Sequence, residues 1–110
     1  MKTTEEYSGW TNRATWEASM EYEEVFRDIL EHGIRLSTLS FDDAIDEAAT
    51  RFESLVKELE LLDLKPNSRA AYLVASWIEE IDFLDIAQTF LNDFPAEAFL
   101  QEETDEEEPL

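Results

Sequence analysis

Residues 41–62 read FDDAIDEAATRFESLVKELELL, and the fold follows from how their apolar side chains are spaced. Phe41, Ile45, Ala48, Phe52, Leu55, Leu59 and Leu62 step by 4, 3, 4, 3, 4 and 3 residues, the interval at which side chains return to one side of an α-helix. The spacing predicts one long helix with a continuous apolar face. Its start is written at Ser40, whose hydroxyl can cap the first turn, with Asp43 three residues on as the acidic half of a capping box. Its end is written at Leu64-Lys65-Pro66-Asn67, because proline offers no N–H and pushes the residue before it out of helical geometry.

Downstream, Ser68 caps a third helix through Ile81, with Ala70, Ala71, Leu73, Val74, Trp77, Ile78 and Ile81 as its apolar positions. A helix apolar over so much of its circumference is expected to lie centrally. Asp82 and Asp85 repeat the capping spacing ahead of Phe83, Ile86, Ala87, Phe90, Leu91 and Phe94, a fourth amphipathic helix closed by Pro95. Upstream, a first helix starts at Thr11 or Asn12 and runs to His32, where Gly33 is expected to take the left-handed conformation that ends helices. Its core side is expected to be Ala18, Tyr22, Val25, Phe26 and Ile29. The fold class is therefore all-α, a small bundle of about four helices over residues 1–100. Residues 101–110 carry six acids and no base, which predicts a disordered acidic tail.

Composition narrows the function. The chain has 110 residues, no cysteine, one histidine (His32), and 28 acids against 8 bases, for a net charge of −20. One core fits that length, and a hydrophobic fraction of 44% is too high for a wholly disordered acidic chain. Without cysteine there is no disulfide framework or thiolate zinc site. The longest apolar run, Ala70 to Ala75, is far short of the roughly 20 residues of a membrane helix, and the N-terminus lacks a secretory pattern. The expectation is a soluble, unsecreted protein without a membrane partner. Neither a glycine-rich phosphate loop, a Ser/His/Asp set nor metal-ligand spacing is legible, so no catalytic residue, metal or cofactor is expected. Asp42, Asp43, Asp46 and Glu47 lack the central glycine and alternating oxygen ligands of a calcium loop. His32, near a helix C-terminus, reads as a partner of the helix dipole.

The acids are not spread at random. Glu17, Glu21, Glu24, Asp28 and Glu31 are spaced 4, 3, 4 and 3, so on a straight helix they form one row, with a charge about every 5 Å. Like charges one turn apart cost a few tenths of a kcal/mol per pair, so helix stability alone does not account for the row. Asp42, Asp46 and Glu53, continued by Glu60, make a second and weaker row, and Glu79, Glu80, Asp82, Asp85 and Asp93 gather around the third and fourth helices. Removing the tail still leaves 22 acids against 8 bases over residues 1–100. Direct nucleic-acid binding is opposed by sign, because it needs Lys and Arg to displace counterions from phosphates. The reverse partner fits: a DNA-binding protein or nucleoprotein complex whose basic groove accepts carboxylates where phosphates normally lie. Tyr7, Trp10 and Tyr72 are candidate apolar anchors beside the charges, each with core packing as the plainer role. Two other readings compete: a solubility or high-salt adaptation of the surface, and a helical adaptor binding through an apolar patch.

Gly9-Trp10-Thr11-Asn12 followed by Thr15-Trp16 resembles the opening of a family of small uncharacterised proteins found in phages, plasmids and archaea. Ile81-Asp82-Phe83, Ile86-Ala87 and Leu91-Asn92-Asp93 are similar to that family's last helix. The chain departs from the pattern at Glu17 and Glu21, where apolar residues are usual, and at Phe83, where Trp is commoner. The resemblance implies a helical fold and a mobile-element setting. By size, charge and setting the chain looks like the phage anti-CRISPR and anti-restriction proteins that imitate DNA, which implies an inhibitor acting in the cytoplasm of a host cell.

Overall fold

A computed structural model describes residues 9–101 of the protein; Tyr7 and the acidic tail from Glu102 onward lie outside them. The described chain is all-helical: α1 (Arg13–Glu21), α2 (Glu23–Asp28), α3 (Phe41–Leu61), α4 (Arg69–Glu80) and α5 (Phe83–Leu91). A π-helical turn follows α2 at Ile29–Gly33, and single 3-10 turns lie at Leu36–Thr38 and Ala96–Ala98.

The capping signals operate as spelled. Asn12 accepts from the Thr15 N–H at 2.8 Å, Ser40 from Asp43 at 3.1 Å, Ser68 from Ala71 at 3.1 Å and Asp82 from Asp85 at 3.1 Å. Each satisfies one of the N–H groups a helix start leaves without an internal partner. Asp85 does not complete a reciprocal box: its carboxylate accepts from the Thr11 N–H and hydroxyl, at 3.0 and 2.7 Å.

The first helix departs from expectation. It breaks at Tyr22 (φ −111°, ψ 15°), and its two pieces answer to different partners. α1 is fixed at the α4–α5 junction, where the Thr15 hydroxyl, itself buried, accepts from the Asp82 N–H at 2.8 Å. α2 is fixed by Phe26, stacked on Phe52 of α3 at 4.0 Å between centroids, and by Arg27, whose guanidinium lies 4.4 Å from the Phe90 ring centroid. Val25, expected in the core, is 40% exposed, and Leu30 takes the inward position. Gly33 does not end the helix by left-handed geometry, since Gly9 is the glycine with positive φ. The wider π turn ends it instead, leading into extended Ile34.

The core runs between α3 and α5, with α2 packed against it: Phe26, Phe52, Val56, Ile86 and Leu91 are fully covered. From Tyr22 to Phe26 the facing residue of α3 falls from Glu60 to Phe52, so α2 and α3 run antiparallel. The C-terminal segment folds back. Phe99 packs edge-on against Phe41 at 5.2 Å, and the Leu100 N–H donates to the Leu39 carbonyl at 2.8 Å.

α4 is not central. Of its residues only Ile78 is buried, while Tyr72 is 71% and Leu73 56% exposed. The apolar face of α3 likewise outruns its cover: beyond Val56, Leu59 is 47% and Leu62 68% exposed.

Candidate functional site

Among the eight acids singled out by spacing, Glu17 is the most restrained. Its carboxylate accepts from the Trp77 indole at 3.0 Å and from Arg13 at 3.1 Å. The Trp77 hydrogen bond holds its pKa below the ordinary carboxylate range, with Arg13 adding to this and partial burial opposing it. Glu17 ties α1 to α4 and is not part of an open row.

The rest of the first row is different. Glu21, Glu24 and Glu31 are exposed, and no base among the described residues comes within ion-pair distance of them. Asp28 is exposed and contacts one group, His32 Nδ1, at 3.0 Å. Other acids take the paired bases of the helices. Arg27 reaches Glu23 at 3.1 Å and Asp93 at 3.2 Å, Arg51 reaches Glu47 at 2.8 Å, and Lys57 reaches Glu53 at 3.1 Å. The break at Tyr22 and the π turn also mean that the row follows two helix axes and a widened turn, so its spacing departs from that of a straight helix.

In the second row Asp42 and Asp46 are exposed without an ion-pair partner among the described residues, whereas Glu53 is half-buried and paired with Lys57. Asp42 lies in the first turn of α3, where the helix dipole favours a negative charge. Glu60, the continuation of that row, accepts from the Tyr22 hydroxyl. Burial, then the bond to Glu60, then the charges of Glu60 and Glu21 push the Tyr22 hydroxyl's pKa upward.

The two rows do not form one surface. Asp42, Asp46 and Glu53 project about 100° around α3 from Phe52, the residue that meets α2. They turn toward α4 and α5. There Asp46 and Glu53 line a groove of about 520 Å³ with Glu79 and Asp82 from the α4–α5 junction. The sequence marked both sets of acids without showing that they meet, because pairing across some thirty residues leaves no periodic signal. Asp82 is already engaged by Thr11 and by its own cap, and no group of three His, Asp or Glu among the described residues is arranged to hold a metal ion.

Among the candidate anchors, Trp10 is packed, edge-on to Phe90 at 6.3 Å, and Tyr72 is free on the surface. No helix of the described residues is long and apolar enough to cross a membrane.

The two stretches that carry the family resemblance meet each other. Thr11 bonds Asp82 and Asp85, the Asn12 amide donates to the Glu80 carbonyl at 2.9 Å, and Thr15 receives the Asp82 N–H. Both motifs therefore build one joint that closes the N-terminus onto the α4–α5 corner. Comparison with family models, with curated proteins and with solved structures finds no match to this chain.

Proposed function

We propose that the chain is a non-enzymatic inhibitor from a phage or other mobile element, acting in the host cytoplasm as a DNA mimic. Its acidic face occupies the basic groove of a DNA-binding protein or nucleoprotein complex, namely a CRISPR effector or a restriction enzyme. The observation that carries the reading is the unpaired part of the first row: Glu21, Glu24 and Glu31 stand exposed with no ion-pair partner among the described residues, although the helices pair other acids with bases one turn away. Asp28 belongs to the same surface. Carboxylates in that setting offer a cationic groove the bidentate acceptors that phosphates offer, and the surplus of negative charge draws the two together from a distance. Asp42 and Asp46, about 100° around α3 from its α2-facing side, form a second contact line.

A second reading, a helical adaptor binding through an apolar patch, is favoured by the exposed Leu59, Leu62, Tyr72 and Leu73. Salt separates the two. In DNA-binding assays on a panel of restriction enzymes and CRISPR effectors, a mimic blocks DNA binding at low salt, is displaced by excess duplex, and loses affinity steeply as ionic strength rises. Binding that is indifferent to both salt and DNA would assign the adaptor role.

A further inference from the structure

We infer that the tip of the α3–α4 hairpin is a self-association surface that binds the same tip of a second copy of this chain. Three observations converge on it, none of them used by the DNA-mimic reading.

The first is apolar surface. The 3–4 seam of α3 continues past its covered part as Leu59 and Leu62, and the first turn of α4 presents Tyr72 and Leu73, all between 47% and 71% exposed. Summed over the four residues, on the order of 400–500 Å² is uncovered, against the ~800 Å² that each partner contributes to a standard interface. Beside them is an open groove of about 540 Å³ lined by Leu61, Leu64, Pro66, Ala71 and Tyr72, which can receive a partner's protruding leucine or tyrosine.

The second is charge. Over residues 57–78 three acids (Glu58, Glu60, Asp63) meet three bases (Lys57, Lys65, Arg69), so the stretch is neutral in a chain of net charge −20. Two copies of such a chain repel each other over most of their surfaces and can approach at this end with the least opposition.

The third is complementarity to itself. Lys57 pairs with Glu53 and Glu60 with Tyr22, which leaves Glu58 and Asp63 as acids and Lys65 and Arg69 as bases without a charge partner among the described residues. In a two-fold interface patch i meets patch j while j meets i. The two unpaired bases of each copy then face the two unpaired acids of the other around the apolar seam. A basic partner would be drawn to the acidic faces, and an acidic one would find Glu58 and Asp63 in its way. A second copy satisfies both signs at once.

The test is sedimentation velocity on the full chain across a wide concentration range, with circular dichroism as the folding check. The parent is expected to form a dimer as concentration rises. Leu62→Glu and Tyr72→Glu, both at exposed sites, are expected to remain monomeric and helical. The pairing is tested by charge reversal. Lys65→Glu with Arg69→Glu in one variant, and Glu58→Lys with Asp63→Lys in another, each weaken self-association, and mixing the two variants restores a dimer containing one of each. A parent that stays monomeric throughout would overturn the inference. So would a dimer that survives Leu62→Glu and Tyr72→Glu, or a mixture that does no better than its components. Failure of DNA mimicry leaves these outcomes unchanged, since none involves a target.

Discussion

Asn67 (φ 65°) is the non-glycine residue with positive φ among the described residues. It follows Pro66 in a turn closed by the Ser68 N–H donating to the Lys65 carbonyl at 3.1 Å. Proline then an αL residue is the order of a type II turn, and Asn tolerates that geometry better than most residues. Replacing Asn67 with valine is expected to lower stability by about 1–2 kcal/mol in urea unfolding, while Asn67→Gly is expected to cost little. Glu17 supplies a pH-dependent contact. Its folded pKa is depressed, first of all by the Trp77 indole, so the stability it contributes is present above its unfolded pKa and is lost as pH falls through the folded one. Unfolding of the parent and of Trp77→Phe across acid pH measures this: the part of the difference that belongs to the carboxylate should shrink as pH falls, and should be absent when both carry Glu17→Gln.

At the scale of the elements, what could be read from the chain and what could not divide along one line. The caps at Asn12, Ser40, Ser68 and Asp82 and the stop at Pro66 are local, and each lies where its spelling put it. The break at Tyr22 was not legible, because it reconciles two distant attachments, Thr15 to Asp82 and Phe26 to Phe52. The position of α4 is hidden from its sequence for a related reason: apolar residues around a helix say that it seeks cover, and only the packing says how much it finds. A similar limit applies to the acids. Their spacing marked Glu17 as one of a row, and a hydrogen bond from a residue sixty positions away removed it. Two truncations separate the periodic reading from the packing. Phe52→Ala, which deletes a fully buried ring stacked on Phe26, is expected to cost about 3–5 kcal/mol. Val25→Ala, which the spacing puts in the core and the structure leaves 40% exposed, is expected to cost under about 1 kcal/mol. Urea unfolding of both variants gives the comparison.

For the molecule as a whole, the distribution of charge is more informative than its total. Bases sit one turn from Glu23, Glu47 and Glu53 and brace the helices, the hairpin tip is neutral, and Glu21, Glu24 and Glu31 have no ion-pair partner among the described residues. A surface made only for solubility has no need to sort its charges in this way, whereas a polyanionic face for a cationic groove does. Thr11, Asn12 and Thr15 are engaged instead at the joint with the α4–α5 corner. The most direct measurement is the inhibition of a responsive DNA-binding complex by the triple reversal Glu21→Lys, Glu24→Lys, Asp28→Lys, with circular dichroism run alongside. The account predicts an unchanged helical spectrum and loss of inhibition at low salt. A triple variant that folds and inhibits as well as the parent would contradict it.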